Sequence, residues 1–386
     1  MALPQPVLPA DNAAARVNLL IVASSLWIGG AETVIRHLAE RIDRRRFNVT
    51  VCCLKHRGHI GDELTRAGIE VIELLEPNGK QVDYFTFRKL LKVIRSRKID
   101  VLHTHTTHGL VDAGLCRLLC RLLRPGLRAI HTFHFGNYPH EQKRIIQMER
   151  MFSGRVDRLF AVGEAQRSQI KSLYGFGDDA IGTIRNGVVL SNGNGDAAFR
   201  ARVHAEHRPI VGTIATYNEQ KGLFDLIKVA KRVKERGVDA VFSVVGEGHL
   251  RPRLEAERRA LGVEDNVELT GWVTNAATLA LPQFDLFFQP SLWEAMSVVI
   301  LEAMAAGKPI VATMVGENSR VLEHGVDGLL VQPGDIEGMA DAICRVLQDD
   351  GLRGRLGEAA RRKVTGQFTV DHMVRAYEQA YLDVLA

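Results

Sequence analysis

"SLWEAMSVVILEAMAAGKPIVAT" occupies residues 291–313 and places seven residues between two glutamates, Glu294 and Glu302. The run between them is apolar and fit for burial. Residues 285–289 just upstream, "DLFFQ", read as a strand. Pro290 to Met296 read as a loop, and Ser297 to Ala306 as a helix stopped by Gly307. Residues 309–312 read as the next strand. Strand, loop, helix and strand in that order specify a parallel sheet covered by helices. Ser297 is a good N-cap. The free N–H groups behind it, with the helix dipole, favour an anion.

Glu294 stands in the loop before this helix and Glu302 about one turn inside it. The two can therefore reach different parts of one elongated ligand. A carboxylate accepts hydrogen bonds from vicinal hydroxyls, which suits a sugar and a ribose with phosphates between them. The bland alternative is a capping carboxylate plus a solvated helix glutamate, and spacing alone does not choose between them.

The same alternation runs outward in both directions. Residues 17–23, 48–54, 70–74, 100–103, 128–133 and 158–162 read as strands, with helical periodicity between them, as in 31–42 and 86–97. The pattern breaks at 191–209, whose start is rich in Gly and Asn. A second set follows at 210–214, 240–245, 266–270, 285–289, 309–312 and 328–331. This predicts an α/β chain of two doubly wound, Rossmann-like domains, 1–190 and 207–369. Residues 370–386 form a final amphipathic helix. Ligands of such sheets sit at the carboxyl ends of the strands, so the expected site is the cleft between the domains.

Composition narrows the classes. The chain has 386 residues, 46% of them hydrophobic, enough for two ordinary cores. The five cysteines form no CxxC and have no clustered His partners, as in a reduced, cytosolic protein. The apolar residues 19–23 read as a buried strand, not a leader peptide. No segment approaches the roughly 20 apolar residues of a membrane span. Residues 1–190 carry 28 Lys+Arg against 18 Asp+Glu, a net of +10, and the remainder carries 22 against 27, a net of −5. A basic first half suits a phosphorylated ligand or an anionic membrane surface, unless it is simply a solvated face. Nothing points to nucleic acid.

"SLWEAMSVVILEAMAAGKPIVATMVGE" closely resembles the E-x7-E segment of the family 4 (group 1) glycosyltransferases of the GT-B fold. The likeness continues through "VGTIATYNEQKG", "VVGEGHLRPRLE", "VELTGWV" and "HGVDGLLVQPGD". It is looser in "SSLWIGGAE", "VLHTHT", "HTFHFG" and "IRNGV" of the first half. The resemblance implies a retaining, metal-independent transferase that moves a sugar from a nucleotide-sugar donor to a glycan, glycolipid or small-molecule hydroxyl. The nucleotide sugar is then a substrate, UDP favoured over GDP, and no cofactor is expected. A role in surface polysaccharide or glycolipid synthesis follows family habit. The location would be cytoplasmic, with the inner face of the membrane as an option.

The resemblance also implies roles. Glu302 would bind the donor ribose and Glu294 the hydroxyls of the donor sugar. The backbone amides of Ala295, Met296, Ser297 and Val298 would hold the sugar and diphosphate. Lys221 would neutralise the leaving diphosphate. Val273 falls in the base-contacting loop, and Gly246 ends a strand facing the cleft. Gly29 and Gly30 follow a strand and precede a helix, where backbone can approach a phosphate closely. His134 aligns with the histidine that faces the reacting sugar, where a neutral ring could accept or relay a hydrogen bond. With His103, His105, His108 and His131 it makes a His-rich region whose spacing fits no standard metal set.

Two positions depart from the pattern. Thr216 stands where the family's phosphate-binding Arg lies, and a hydroxyl brings no charge. The "GGxxE" motif reads Gly316-Glu317-Asn318-Ser319-Arg320, so Arg320 takes the glutamate position. These departures keep open a non-catalytic protein that binds a sugar nucleotide or glycolipid. Residues 83–98 form a basic amphipathic helix with Tyr84, Phe87, Leu91 and Ile94 on one stripe and Arg88, Lys92 and Arg95 on another. It either covers the sheet or touches a membrane.

Overall fold

The computed structural model describes residues 16–386 except 28, 76–85, 124, 137–142, 191, 192 and 194. Its first sheet holds β1 (Val17–Ser25), β2 (Phe47–His56), β3 (Glu70–Glu73), β4 (Val101–Thr104), β5 (Arg128–Phe133), β6 (Arg158–Ala161) and β7 (Ile181–Thr183), in the order β3-β2-β1-β4-β5-β6-β7. All its pairs are parallel. The second sheet holds β8 (Ile210–Ile214), β9 (Val241–Val245), β10 (Val267–Gly271), β11 (Leu286–Gln289), β12 (Ile310–Thr313) and β13 (Leu329–Val331), in the order β10-β9-β8-β11-β12-β13. In each sheet the order reverses beside the first strand, and the crevice at that switch is where ligands of doubly wound sheets bind.

The strands are apolar throughout because helices cover both faces. Side chains alternate across β1 with a period of two. Leu19, Ile21 and Ala23 enter one core, Leu20 and Val22 the other. In the second sheet Phe287 faces one core while Leu286 and Phe288 face the other. The strand β7 was not legible as a hydrophobic run, for it is three residues long and two of them are Gly and Thr.

The segment after β7 and the segment before the final helix meet. Val188 N–H donates to Phe368 O at 2.9 Å, and Val370 N–H donates to Val188 O at 2.9 Å. The helix Val370–Asp383 then lies on the first sheet, where Val370, Met373, Val374, Tyr377 and Tyr381 share a core with Leu19 and Ile21. The helix Thr86–Ser96 buries Leu90 and Ile94 and packs Phe87 and Leu91 against its own sheet. Its apolar stripe is thus used within the fold, and Arg88, Lys92 and Arg95 are exposed. Tyr84 lies outside the described residues.

Candidate active site in the interdomain cleft

The opening stretch folds as a strand, a loop and a short buried helix, Val298–Ala305. Ser297 is its N-cap, and its Oγ accepts from Ile300 N–H at 3.3 Å. Gln289, at the end of β11, donates from Nε2 to the same Oγ at 2.7 Å. The loop is held from below: Ser291 Oγ donates to Glu294 Oε1 at 2.8 Å, and Thr313 Oγ1 donates to Ser291 O at 2.6 Å. These bonds aim the buried Glu294 carboxylate at Lys221, whose Nζ lies 2.6 Å from Oε1. Gln220 Nε2 adds a donor to Oε2 at 3.2 Å. Lys221 ends a one-turn helix and remains partly exposed on the cleft side. A cation and a carboxylate therefore stand together at the mouth of a helix N-terminus.

A cavity of about 420 Å³ opens between the two sheets. From the first half it takes Gly29, Gly30 and His134, and from the second Thr216, Lys221, Gly246, Val273, Glu294, Ala295, Met296, Ser297, Val298 and Glu302. Every residue singled out from the sequence for catalysis or donor binding lines this one space. Thr216 is exposed into it. Gly246 has φ +142°, and a Cβ there would lie 1.9 Å from Ala215 O, so no side chain fits at this strand end. Arg320 is exposed and is not among the lining residues, so it brings no charge to the cleft.

Glu302 sits in the wall between this cavity and a larger, more polar one of about 800 Å³, which Arg36, Arg41, Lys308 and Arg361 also line. Burial pushes the Glu302 carboxyl up to about 7, and the nearby Arg36 guanidinium opposes that rise. A carboxyl so poised is part ionised at neutrality. Burial also holds His134 down to about 3, with the neighbouring His131 adding to the effect, so its imidazole is neutral in the working range. His134 Nε2 lies 2.9 Å from His105 Nδ1. His103 bonds to Tyr381 and Thr132, and His131 to Thr104, so the His-rich region is largely engaged in internal hydrogen bonds.

Several contributors were not legible as site residues. Asn186, within "IRNGV", donates from Nδ2 to Met296 O at 3.0 Å and so ties the halves at the donor loop. Gly136 packs on the same loop, and a Cβ there would lie 2.2 Å from Ala295 N. Glu317, at the second Gly of the family motif, is fully buried and accepts from Ala165 N–H at 3.0 Å at the start of the helix Glu164–Tyr174. Gln220 and Ser291 were visible only as neighbours of Lys221 and Glu294. Each of these contacts joins residues far apart in the chain or lies in a loop without periodicity.

Known proteins share the sequence pattern and the fold of this chain. The family model for Glycosyltransferase Family 4 matches residues 28–192, and that for Glycosyl transferases group 1 matches residues 195–363. The N-acetyl-alpha-D-glucosaminyl L-malate synthase of Bacillus anthracis is 29% identical over 315 residues, which cover 77% of this chain and 78% of that protein. The UDP-Gal:alpha-D-GlcNAc-diphosphoundecaprenol alpha-1,3-galactosyltransferase of Escherichia coli is 24% identical over 375 residues, 93% of this chain and 95% of that one. Among solved structures, HepE of Anabaena in complex with UDP-glucose superposes with a TM-score of 0.84 at 20% identity, over 95% of this chain and 100% of its own. With both halves matched and the two sheets enclosing one cleft, the chain belongs to the group 1, family 4 glycosyltransferases, on a GT-B fold.

Proposed function

We propose that this protein transfers a sugar from a UDP-sugar to a glycan, glycolipid or small-molecule hydroxyl with retention of anomeric configuration and without a metal ion. The observation that carries the reading is the Lys221–Glu294 pair at the amide-rich mouth of the helix Val298–Ala305, with Glu302 farther along the same cleft. In this reading the diphosphate lies on the amides of Ala295 to Val298, near Gly29 and Gly30, with Thr216 supplying a neutral donor. Glu302 takes the ribose hydroxyls, and the loop at Val273 takes the base. Glu294, fixed by Ser291 and Gln220, accepts from the sugar hydroxyls.

As the bond from the anomeric carbon to the diphosphate breaks, negative charge grows on the leaving oxygen. Lys221 meets that charge in a closed cleft, an arrangement commonly worth a few kcal/mol of barrier, on the order of 10²–10³ in rate. The acceptor oxygen attacks from the face the diphosphate leaves, and the departing phosphate takes the acceptor proton. Glu294 is occupied by three donors, which supports a route without a protein nucleophile. Lys221 supplies the positive charge a divalent cation would otherwise bring. The nucleotide sugar is consumed as substrate, and no further cofactor enters the scheme.

The names of the relatives support UDP as the nucleotide and allow lipid-linked or small acceptors. No helix among the described residues is long and apolar enough to cross a membrane. The net charge of the first half and the exposed Leu118, Leu119, Met148 and Met151 support peripheral contact of a cytoplasmic enzyme with an anionic membrane face. Thr216, in place of an arginine, favours the second reading of a non-catalytic binder.

A thermal-shift screen against UDP, GDP, ADP and their common sugars, with and without magnesium, tests the donor. A ligand at 100 times its dissociation constant adds roughly 2.7 kcal/mol of stability. A metal-independent shift with UDP compounds is expected. Lys221→Ala and Glu294→Ala should then lower transfer by at least about 10² while keeping the fold. Affinity without product in the wild type would favour the binder, and wild-type rates in both variants would sink the site assignment.

A further inference from the structure

His105 and His134 lie just past the ends of neighbouring strands, β4 and β5, and their rings meet. His105 Nδ1 is 2.9 Å from His134 Nε2, with ring centroids 5.1 Å apart and planes 27° apart. Two imidazole nitrogens at this distance share a single proton, so one ring donates and the other accepts. The surroundings of His105 decide which.

His105 is buried, with its ring against that of His103 at 4.0 Å between centroids. His103 has nothing to offer it, since Nδ1 bonds to Tyr381 OH at 2.7 Å and Nε2 to Thr132 Oγ1 at 2.9 Å. The other nitrogen of His105, Nε2, is buried and has no hydrogen-bond partner among the described residues. A proton on Nε2 would bury an N–H without an acceptor. An unfilled lone pair in the same place is the more usual arrangement, because orphaned buried N–H groups are rarer in folded proteins than under-satisfied acceptors. The proton therefore belongs on His105 Nδ1, which donates to His134 Nε2. His134 in turn carries its own proton on Nδ1.

We infer that His105 is a positioning residue that holds His134, which lines the cleft, as the Nδ1–H tautomer, so that a ligand meets a hydrogen-bond donor there and not a lone pair. The consequence for transfer rests on the reading given above. A sugar hydroxyl that accepts from His134 keeps its own proton free to donate to a carboxylate elsewhere in the cleft. Burial and the adjacent histidines hold His105 well below the usual range, and His134 is held to about 3, so both rings stay neutral near pH 7. The tautomer is then a fixed property of the site.

The test is ¹⁵N-histidine NMR of the full-length protein at neutral pH, with the His134 signals assigned by their loss in His134→Asn. The expected wild-type spectrum shows His134 protonated on Nδ1. A His134 protonated on Nε2 overturns the inference without the need for any His105 variant. His105→Asn keeps an amide donor near the position of Nδ1 and should preserve the Nδ1–H tautomer, whereas His105→Leu should release His134 to the Nε2–H form. In steady-state assays with the donor found by the screen, His105→Leu should lose roughly ten-fold or more in kcat, with the donor KM within about three-fold, and His105→Asn should recover most of it. Equal kcat in wild type and His105→Leu, or no recovery in His105→Asn, counts against the inference. A wild type that transfers no sugar would remove the transferase reading yet leave the NMR result standing.

Discussion

Glu302 shows how one side chain in this cleft links acidity to binding. Burial raises its carboxyl to about 7 against the pull of Arg36. If it accepts two ribose hydroxyls, the ionised form binds better, since charge-assisted acceptors are the stronger ones. Donor affinity should then climb as pH rises toward 7, by up to about ten-fold per unit below it, and level off above. Glu302→Gln should bind more weakly and lose that dependence. Isothermal titration of wild type and variant between pH 5.5 and 8 checks it, and parallel pH curves would remove Glu302 from the ribose. His134 behaves oppositely: held to about 3, it contributes no ionisation in this range.

At the scale of an element, the helix Val298–Ala305 is eight residues long, too short to be stable by itself. Its first turn depends on Ser297, whose Oγ accepts from both Ile300 N–H and Gln289 Nε2. Ser297→Ala removes the cap, about 1 kcal/mol, and leaves a buried amide donor unpaired, for a combined loss of about 2 kcal/mol or more. For a domain of this size that corresponds to a drop in Tm of about 4–8 °C, readable by calorimetry. An unchanged Tm would mean that the strand and loop alone hold the turn. This element was legible because its signals are local: an apolar run, Ser before it, Gly after it. The strand β7 was not, since three residues with Gly and Thr carry no periodicity. The contacts Glu317 to Ala165, Asn186 to Met296 and His105 to His134 escaped for another reason. They join residues 152, 110 and 29 apart, and nothing local marks them. The glutamates and Lys221 stood out through motif spacing, while the groups that aim them are ordinary loop residues.

Across the whole molecule, the two halves touch at the cleft through Gly136 on Ala295, Asn186 on Met296 and Glu317 on the helix Glu164–Tyr174. They are also joined by two segments that pair at Val188 and Thr369. The pairing ties the two passages of the chain between the halves to each other by backbone hydrogen bonds. The helix Val370–Asp383 beyond it buries two tyrosines and several aliphatic side chains in the core of the first sheet. At about 1.5–3 kcal/mol each, their loss totals on the order of 10 kcal/mol, which matches the whole stability of a typical domain. A chain cut after Thr369 should therefore lose the first domain. Limited proteolysis should digest residues 16–190 and spare 207–369, and equal protection of both would refute this. The same feature sets a timetable for biosynthesis. A ribosome makes strands β1–β7 early but delivers the helix that covers them only after all of the second sheet has been made. The nascent first half must wait, its apolar floor uncovered, for as long as nearly 200 further residues take to emerge. The half that is translated first is thus the half that is finished last.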